Sequence, residues 1–206
     1  IRHGQTDWNK ESVFRGRADK PLNMTGKREG LAVAFALEDT SISGIYASPL
    51  KRAVETLLET ADRHGQDVSV IDDLTDIDFG EWQAKPKDEV ARQHTEGYRT
   101  WLEHPEKMQF PGGESLVQAA ERASRAVEEI ANKHEGRQFV VCTHRVICKA
   151  IVCNLVGIDL SRFWNIKIDT ASITRLNRHQ GRWVLESLNA DHHLAPLADE
   201  RITEDF

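Results

Sequence analysis

The tightest limit on the fold is set by the stretch Gln-Phe-Val-Val-Cys-Thr-His at positions 138–144. Its apolar residues are contiguous rather than alternating, the pattern of a strand covered on both faces, as in a parallel sheet flanked by helices. The apolar run stops at Thr143-His144. Residues 145–156 then carry Val146, Ile147, Ala150, Ile151 and Leu155 at helical spacing. His144 therefore belongs at the carboxyl end of a strand, directly before a helix, where open α/β sheets bind ligands. A buried structural histidine is the alternative reading of the same placement.

The rest of the chain repeats this alternation. Residues 44–48 read as a short buried strand, and Ser48-Pro49 as the N-cap and first residue of a helix reaching about residue 63. Arg52 then falls in the first helical turn, where free N–H groups and the helix dipole favour anions. Residues 68–71 give a second strand. Two more follow near 172–176 and 183–188, before an acidic tail with His192 and His193. Residues 10–24 read as a loop, and Thr25 opens a helix with Leu31, Ala34, Phe35 and Leu37 roughly on one face. A long helix to about residue 134 places Leu116, Ala119, Ala120, Ala123, Val127 and Ile130 on one stripe. Residues 86–106 are polar and helical, broken by Gly97 and Pro105, with Tyr98, Trp101 and Leu102 as their only compact apolar face. The expected fold is α/β, three layers α/β/α around a mostly parallel central sheet. One domain spans residues 1–206, with a helical lid or insertion at about 86–111.

Composition narrows the class. The net charge of −6 argues against a nucleic-acid partner. No apolar run approaches the roughly 18 residues needed to span a bilayer, and no secretory pattern opens the sequence. Cys142, Cys148 and Cys153 are odd in number, lie in or beside apolar stretches and lack zinc spacing, so they read as reduced thiols of a cytoplasmic protein. Only Ile1 precedes Arg2, and the first residue is not methionine. Either the numbering begins inside a longer chain or a first strand has been lost; the former is the expectation, because a catalytic loop on a free terminus frays.

The chemistry concentrates in Ile-Arg-His-Gly-Gln-Thr-Asp-Trp-Asn at positions 1–9. Arg2 offers a rigid fork of donors for phosphate oxygens, and Gly4 allows close backbone approach. His3 can attack phosphorus through an unprotonated ring nitrogen, and Asn9 adds a neutral donor. Arg15 and Arg17 read either as surface charges or as the lining of an anion pocket beside Arg2. Residues 72–82 hold five carboxylates, any one of which reads by itself as a surface group. Placed at strand ends and helix starts, Arg2, His3, Arg52 and His144 can converge on one sheet edge.

Five stretches in this order resemble the histidine phosphatase (phosphoglycerate mutase-like) superfamily. They are Arg2-His3-Gly4-Gln5-Thr6-Asp7-Trp8-Asn9, Ser48-Pro49-Leu50-Lys51-Arg52-Ala53, residues 74–82, Gly112-Gly113-Glu114-Ser115 and Thr143-His144. The resemblance covers nearly the whole chain and is greatest to the small-metabolite phosphatases. It implies a phosphomonoester hydrolase acting on a small phosphorylated metabolite, with no metal and no cofactor. His3 would become a phosphohistidine that water hydrolyses. Arg2, Arg52 and His144 would hold the non-bridging oxygens, with Asn9, Arg15, Gly16 and Arg145 as further phosphate-binding residues. The proton donor would be Asp76, where the family usually has glutamate, with Glu81 as the fallback. Arg145 stands where the family often has glycine. The alternatives are a cofactor-dependent phosphoglycerate mutase and a phosphate-binding protein with little turnover. The oligomeric state is left open, a homodimer being one option.

Overall fold

The computed structural model describes residues 1–9 and 11–201; Lys10 and the end of the acidic tail, residues 202–206, lie outside the described residues. Three parallel strands, β1 (Ile42–Ala47), β2 (Val68–Val70) and β3 (Gln138–Cys142), form the central sheet in the order β2-β1-β3. The first residues run alongside β3. Arg2 bridges Thr143 in parallel, the Thr143 N–H donates to the Ile1 carbonyl at 2.9 Å, and the His3 N–H donates to the Thr143 carbonyl at 2.8 Å. His3 and His144 are thereby carried to the same end of the sheet. The two later strands, β4 (Ile173–His179) and β5 (Arg182–Ala190), pair antiparallel in a sheet of their own.

Side-chain alternation on β1 and β3 builds the layers. Ile45, Ala47, Val140 and Cys142 face α1 (Met24–Ala36) and α2 (Lys51–Arg63), where they meet Val33, Leu37, Ala53 and Leu57. Tyr46, Phe139 and Val141 face α5 (Leu116–Lys133) and α6 (Arg145–Val156). Burying one such aliphatic side chain stabilises the fold by about 1.5–3 kcal/mol. The predicted α5 stripe is buried throughout, and the helix opens on a capping box between Ser115 and Gln118. The polar segment forms α3 (Lys87–Gln93) and α4 (Thr95–Glu103), whose Val90 and Trp101 pack into the same core as α5 and α6.

Several local expectations are corrected. β3 is not sealed on both faces, because Phe139 and Val141 are half-buried beside a cleft of about 860 Å³ bounded by β4 and β5. The predicted face of α1 holds only in part: Ala34 and Leu37 are buried, but Leu31 and Phe35 are exposed, and Gly26, Glu29, Gly30 and Val33 point inward instead. Close approach is the cause, since a Cβ on Gly30 would lie 3.1 Å from the Thr56 carbonyl oxygen of α2. Ser48 does not cap α2, whose N-cap is Leu50. The α3–α4 break falls at His94, and Gly97 is helical. Within the tail, His192–Glu200 forms a 3-10 helix packed against α1. Among the described residues, no helix is long and apolar enough to cross a membrane.

Candidate active site

His3 follows the Arg2–Thr143 bridge and is 3% exposed. Its Nδ1 lies 2.7 Å from the Gly4 carbonyl oxygen, which can only accept, so Nδ1 carries the proton and Nε2 keeps its lone pair. Burial drives the His3 pKa well below the usual imidazole range, and the Arg52 and Arg2 guanidiniums push it further. The ring is therefore neutral at neutral pH. Gly4 is fixed by its N–H to Thr56 Oγ1 at 2.9 Å, and the Gln5 N–H by Glu29 Oε2 at 2.6 Å.

The His144 ring centroid lies 5.2 Å from that of His3. Arg52 Nε donates to His144 Nδ1 at 3.1 Å, so Nδ1 is the acceptor and Nε2–H donates to Ser48 Oγ at 2.7 Å. Burial, then Arg52, holds His144 neutral as well. Ser48 was missed as a site residue. The signal available, a serine before a proline at a strand end, pointed to a cap.

Arg52 enters from the first turn of α2, 1% exposed, and spans the centre of the site. Besides His144, it donates through Nη1 to the Ala18 carbonyl at 2.7 Å. Through Nη2 it reaches the Gly16 carbonyl at 2.8 Å and Asp76 Oδ2 at 3.2 Å. Gly16 thus meets Arg52 through its carbonyl, from a backbone φ of +49° that suits glycine. Arg2 is equally buried, with Nη1 donating to the Ile168 carbonyl at 2.8 Å.

Asp76 is buried, with Oδ1 accepting from the Ile77 N–H at 2.9 Å and Oδ2 lying 3.8 Å from His144 Nδ1. Burial raises its pKa against the opposing pull of Arg52 and the Ile77 N–H. Asn9 is buried too. Its Oδ1 accepts from the N–H and hydroxyl of Thr6 at 2.8 and 2.9 Å, and its Nδ2 has no partner among the described residues. Arg15 donates to the Trp8 carbonyl at 2.9 Å. With His3, Gly16, Asp76 and Arg145 it lines a cavity of about 20 Å³ whose apolar wall includes Phe14 and Trp101. Glu81 is not brought to this cavity; it is exposed, with its side chain against Gly112.

Two neutral imidazoles, two buried guanidiniums and a carboxyl of raised pKa suit transfer of an anionic tetrahedral group. Such a transfer depends on in-line positioning and charge neutralisation.

Comparison with known proteins agrees. The family model of the histidine phosphatase superfamily (branch 1) matches residues 1–191. Phosphoserine phosphatase 1 of Hydrogenobacter thermophilus is 35% identical over 194 residues, spanning 94% of this chain and 92% of that protein. The metal-independent phosphoserine phosphatase of Arabidopsis thaliana is 30% identical, spanning 96% of this chain and 82% of that protein. The native structure of a mycobacterial glucosyl-3-phosphoglycerate phosphatase superimposes with a TM-score of 0.84 at 27% identity, over 92% of this chain and 96% of that one. The chain belongs to the histidine phosphatase superfamily and is a phosphoric monoester hydrolase.

Proposed function

We propose that the protein hydrolyses a small phosphorylated metabolite in two steps on His3. In the first, Nε2 attacks phosphorus and the bond to the leaving-group oxygen breaks as Asp76 gives that oxygen a proton. In the second, the Asp76 carboxylate takes a proton from water, the water oxygen bonds to phosphorus, and the P–N bond breaks to return the Nε2 lone pair and free phosphate. Arg2 and Arg52 hold the non-bridging oxygens, and His144 joins them once Arg52 turns to the phosphate and the freed Nδ1 takes up a proton beside the dianion. A phosphate competes with Asp76 and His144 for the Arg52 donors, which frees the Asp76 carboxyl to face the leaving group. The spare Nδ2 of Asn9 supports a fourth contact.

Arg15 and Arg145 add cationic lining beyond the Arg2–Arg52 pair. That lining favours a substrate with a second anionic group, such as a carboxylate near the phosphate. Phosphoserine and glucosyl-3-phosphoglycerate, named for the relatives above, are both of that kind. The α3–α4 segment, whose Trp101 reaches the cavity, is read as the lid that shapes specificity. Three buried free thiols fit a reducing, cytoplasmic setting.

The observation that carries this reading is a neutral His3, its tautomer set by Gly4, facing His144 between two buried arginines. It is tested with p-nitrophenyl phosphate in metal-free buffer. The wild-type protein should release p-nitrophenol and acquire an acid-labile phosphate, and His3→Ala should do neither. Full turnover by His3→Ala would rule out the nucleophile.

A further inference from the structure

The segment that carries Asp76 has no regular secondary structure of its own. It leaves a 3-10 turn (Asp72–Leu74) and crosses to Phe79 without a strand partner. Something must nevertheless fix it, because an aspartate has only two side-chain torsions between backbone and carboxyl. A displaced backbone therefore carries the acid with it.

The fixing group is Arg122, which reaches over from α5. Its Nη1 donates to the carbonyls of Asp73 at 2.7 Å and Thr75 at 2.9 Å. Its Nη2 donates to the Asp76 carbonyl at 3.2 Å and to Glu114 Oε1 at 2.6 Å, and its Nε to Glu114 Oε2 at 2.9 Å. These five bonds use all five donors of a guanidinium. Glu114 closes the clamp from the other side: its Oε1 accepts from the Asp78 N–H at 2.9 Å, and its own N–H donates to the Asp78 carbonyl at 3.1 Å. Arg17 adds a long bond from Nε to the Asp76 carbonyl at 3.4 Å. Both Arg122 and Glu114 are mostly buried, so the pair is little screened by solvent. A flexible lysine in this place could make at most three bonds and could not span the carbonyls and the carboxylate together.

We propose that Arg122, braced by Glu114, is a positioning residue for the proton donor: it sets the backbone from Asp73 to Asp78 so that the Asp76 carboxyl meets the leaving-group oxygen. This rests on the donor role proposed for Asp76. The clamp touches neither His3 nor the phosphate-holding arginines. Its loss should therefore harm protonation of the leaving group more than attack on phosphorus.

The test compares kcat/KM on p-nitrophenyl phosphate, whose leaving group departs without much help, with kcat/KM on glycerol 2-phosphate, an alkyl phosphate that needs the acid. Asp76→Asn should lower the alkyl-to-aryl ratio by about 10²–10⁴-fold, the span of general acid catalysis. Arg122→Gln should lower the same ratio by about tenfold or more, with the loss in kcat rather than KM and vanadate affinity largely retained. Arg122→Lys should recover part of it, and the Asp76→Asn/Arg122→Gln double variant should fall no further than Asp76→Asn. Equal losses on both substrates in Arg122→Gln, beside a normal drop in Asp76→Asn, would reduce Arg122 to a structural prop and overturn the inference. An unchanged ratio in Asp76→Asn would instead remove Asp76 as donor, and the clamp's role with it. If Arg122→Gln does not fold, Glu114→Gln answers the same question by the same ratio.

Discussion

Gly26, in the first turn of α1, gives the sharpest test of how the loop carrying His3 is held. A Cβ there would overlap the Gln5 carbonyl oxygen and lie 2.8 Å from its nitrogen and 2.9 Å from its carbonyl carbon. Ordinary carbon–carbon contacts run at about 3.5–4.0 Å, so the carbon contact alone requires Gly26→Ala to open the helix–loop gap by roughly 0.6–1.1 Å, and the tighter overlap with the carbonyl oxygen puts the shift at the upper end. Two effects then oppose each other. Alanine is the better helix former, by at most about 1 kcal/mol. Overpacking costs about 1–3 kcal/mol, and backbone against backbone belongs at the upper end. The clash wins by about 2 kcal/mol, which for a domain of this size lowers Tm by about 4–8 °C. The displaced residue is two positions from His3, and Gly4 between them sets the His3 tautomer. A displacement near 1 Å should therefore cost about 10- to 100-fold in kcat. Thermal melts and steady-state rates on p-nitrophenyl phosphate read both effects. Gly30→Ala, with its nearest contact at 3.1 Å, should do less on both counts. A Gly26→Ala protein that melts at or above the wild-type temperature and turns over at the wild-type rate would refute the close-approach argument.

Two further predictions follow from the site. His3 and His144 have depressed folded pKa values, so their stabilising contribution is complete above the ordinary imidazole pKa of about 6.5 and is lost as pH falls below it through the folded values. Asp76, raised by burial, works the other way, its contribution fading as pH rises from the ordinary carboxyl range through its folded value. With two histidines against one carboxyl, Tm should fall as pH drops from 7 to 5, and less steeply in His144→Gln. Parallel curves for the two proteins would count against a buried neutral His144. Asn9→Asp keeps the oxygen that binds Thr6 but removes the spare Nδ2 donor and adds an anion. A hydrogen bond to a charged group is worth about 1.5–3 kcal/mol, so inhibition by inorganic phosphate should weaken about 10- to 100-fold. An unchanged inhibition constant would remove Asn9 from the phosphate site.

Much of the framework was legible because it is local. The helix over residues 145–156 and the α5 stripe follow from apolar periodicity. The placement of His144 follows from the abrupt end of the apolar run before it. What failed, failed where another part of the chain decides. Half of the α1 face was misread because its buried side includes Gly26 and Gly30, which carry no hydrophobic signal and matter only once Gln5 and Thr56 lie against them. Ser48 was read as a cap because its partner, the His144 ring, is distant in sequence. Glu81 was a reasonable second acid until the loop geometry turned it toward solvent beside Gly112.

The sequence by itself therefore determined the order of strands and helices, the family, and most of the residues that converge on the candidate site. Those properties are written in short-range periodicity and in motifs a few residues long. Tertiary structure alone decided the protonation states and the grip on each group. A histidine is neutral or charged according to its burial and to the guanidiniums beside it. Arg52 becomes the hub of the site only when His144, Asp76 and the loop carrying Gly16 and Ala18 converge on it from three separate segments.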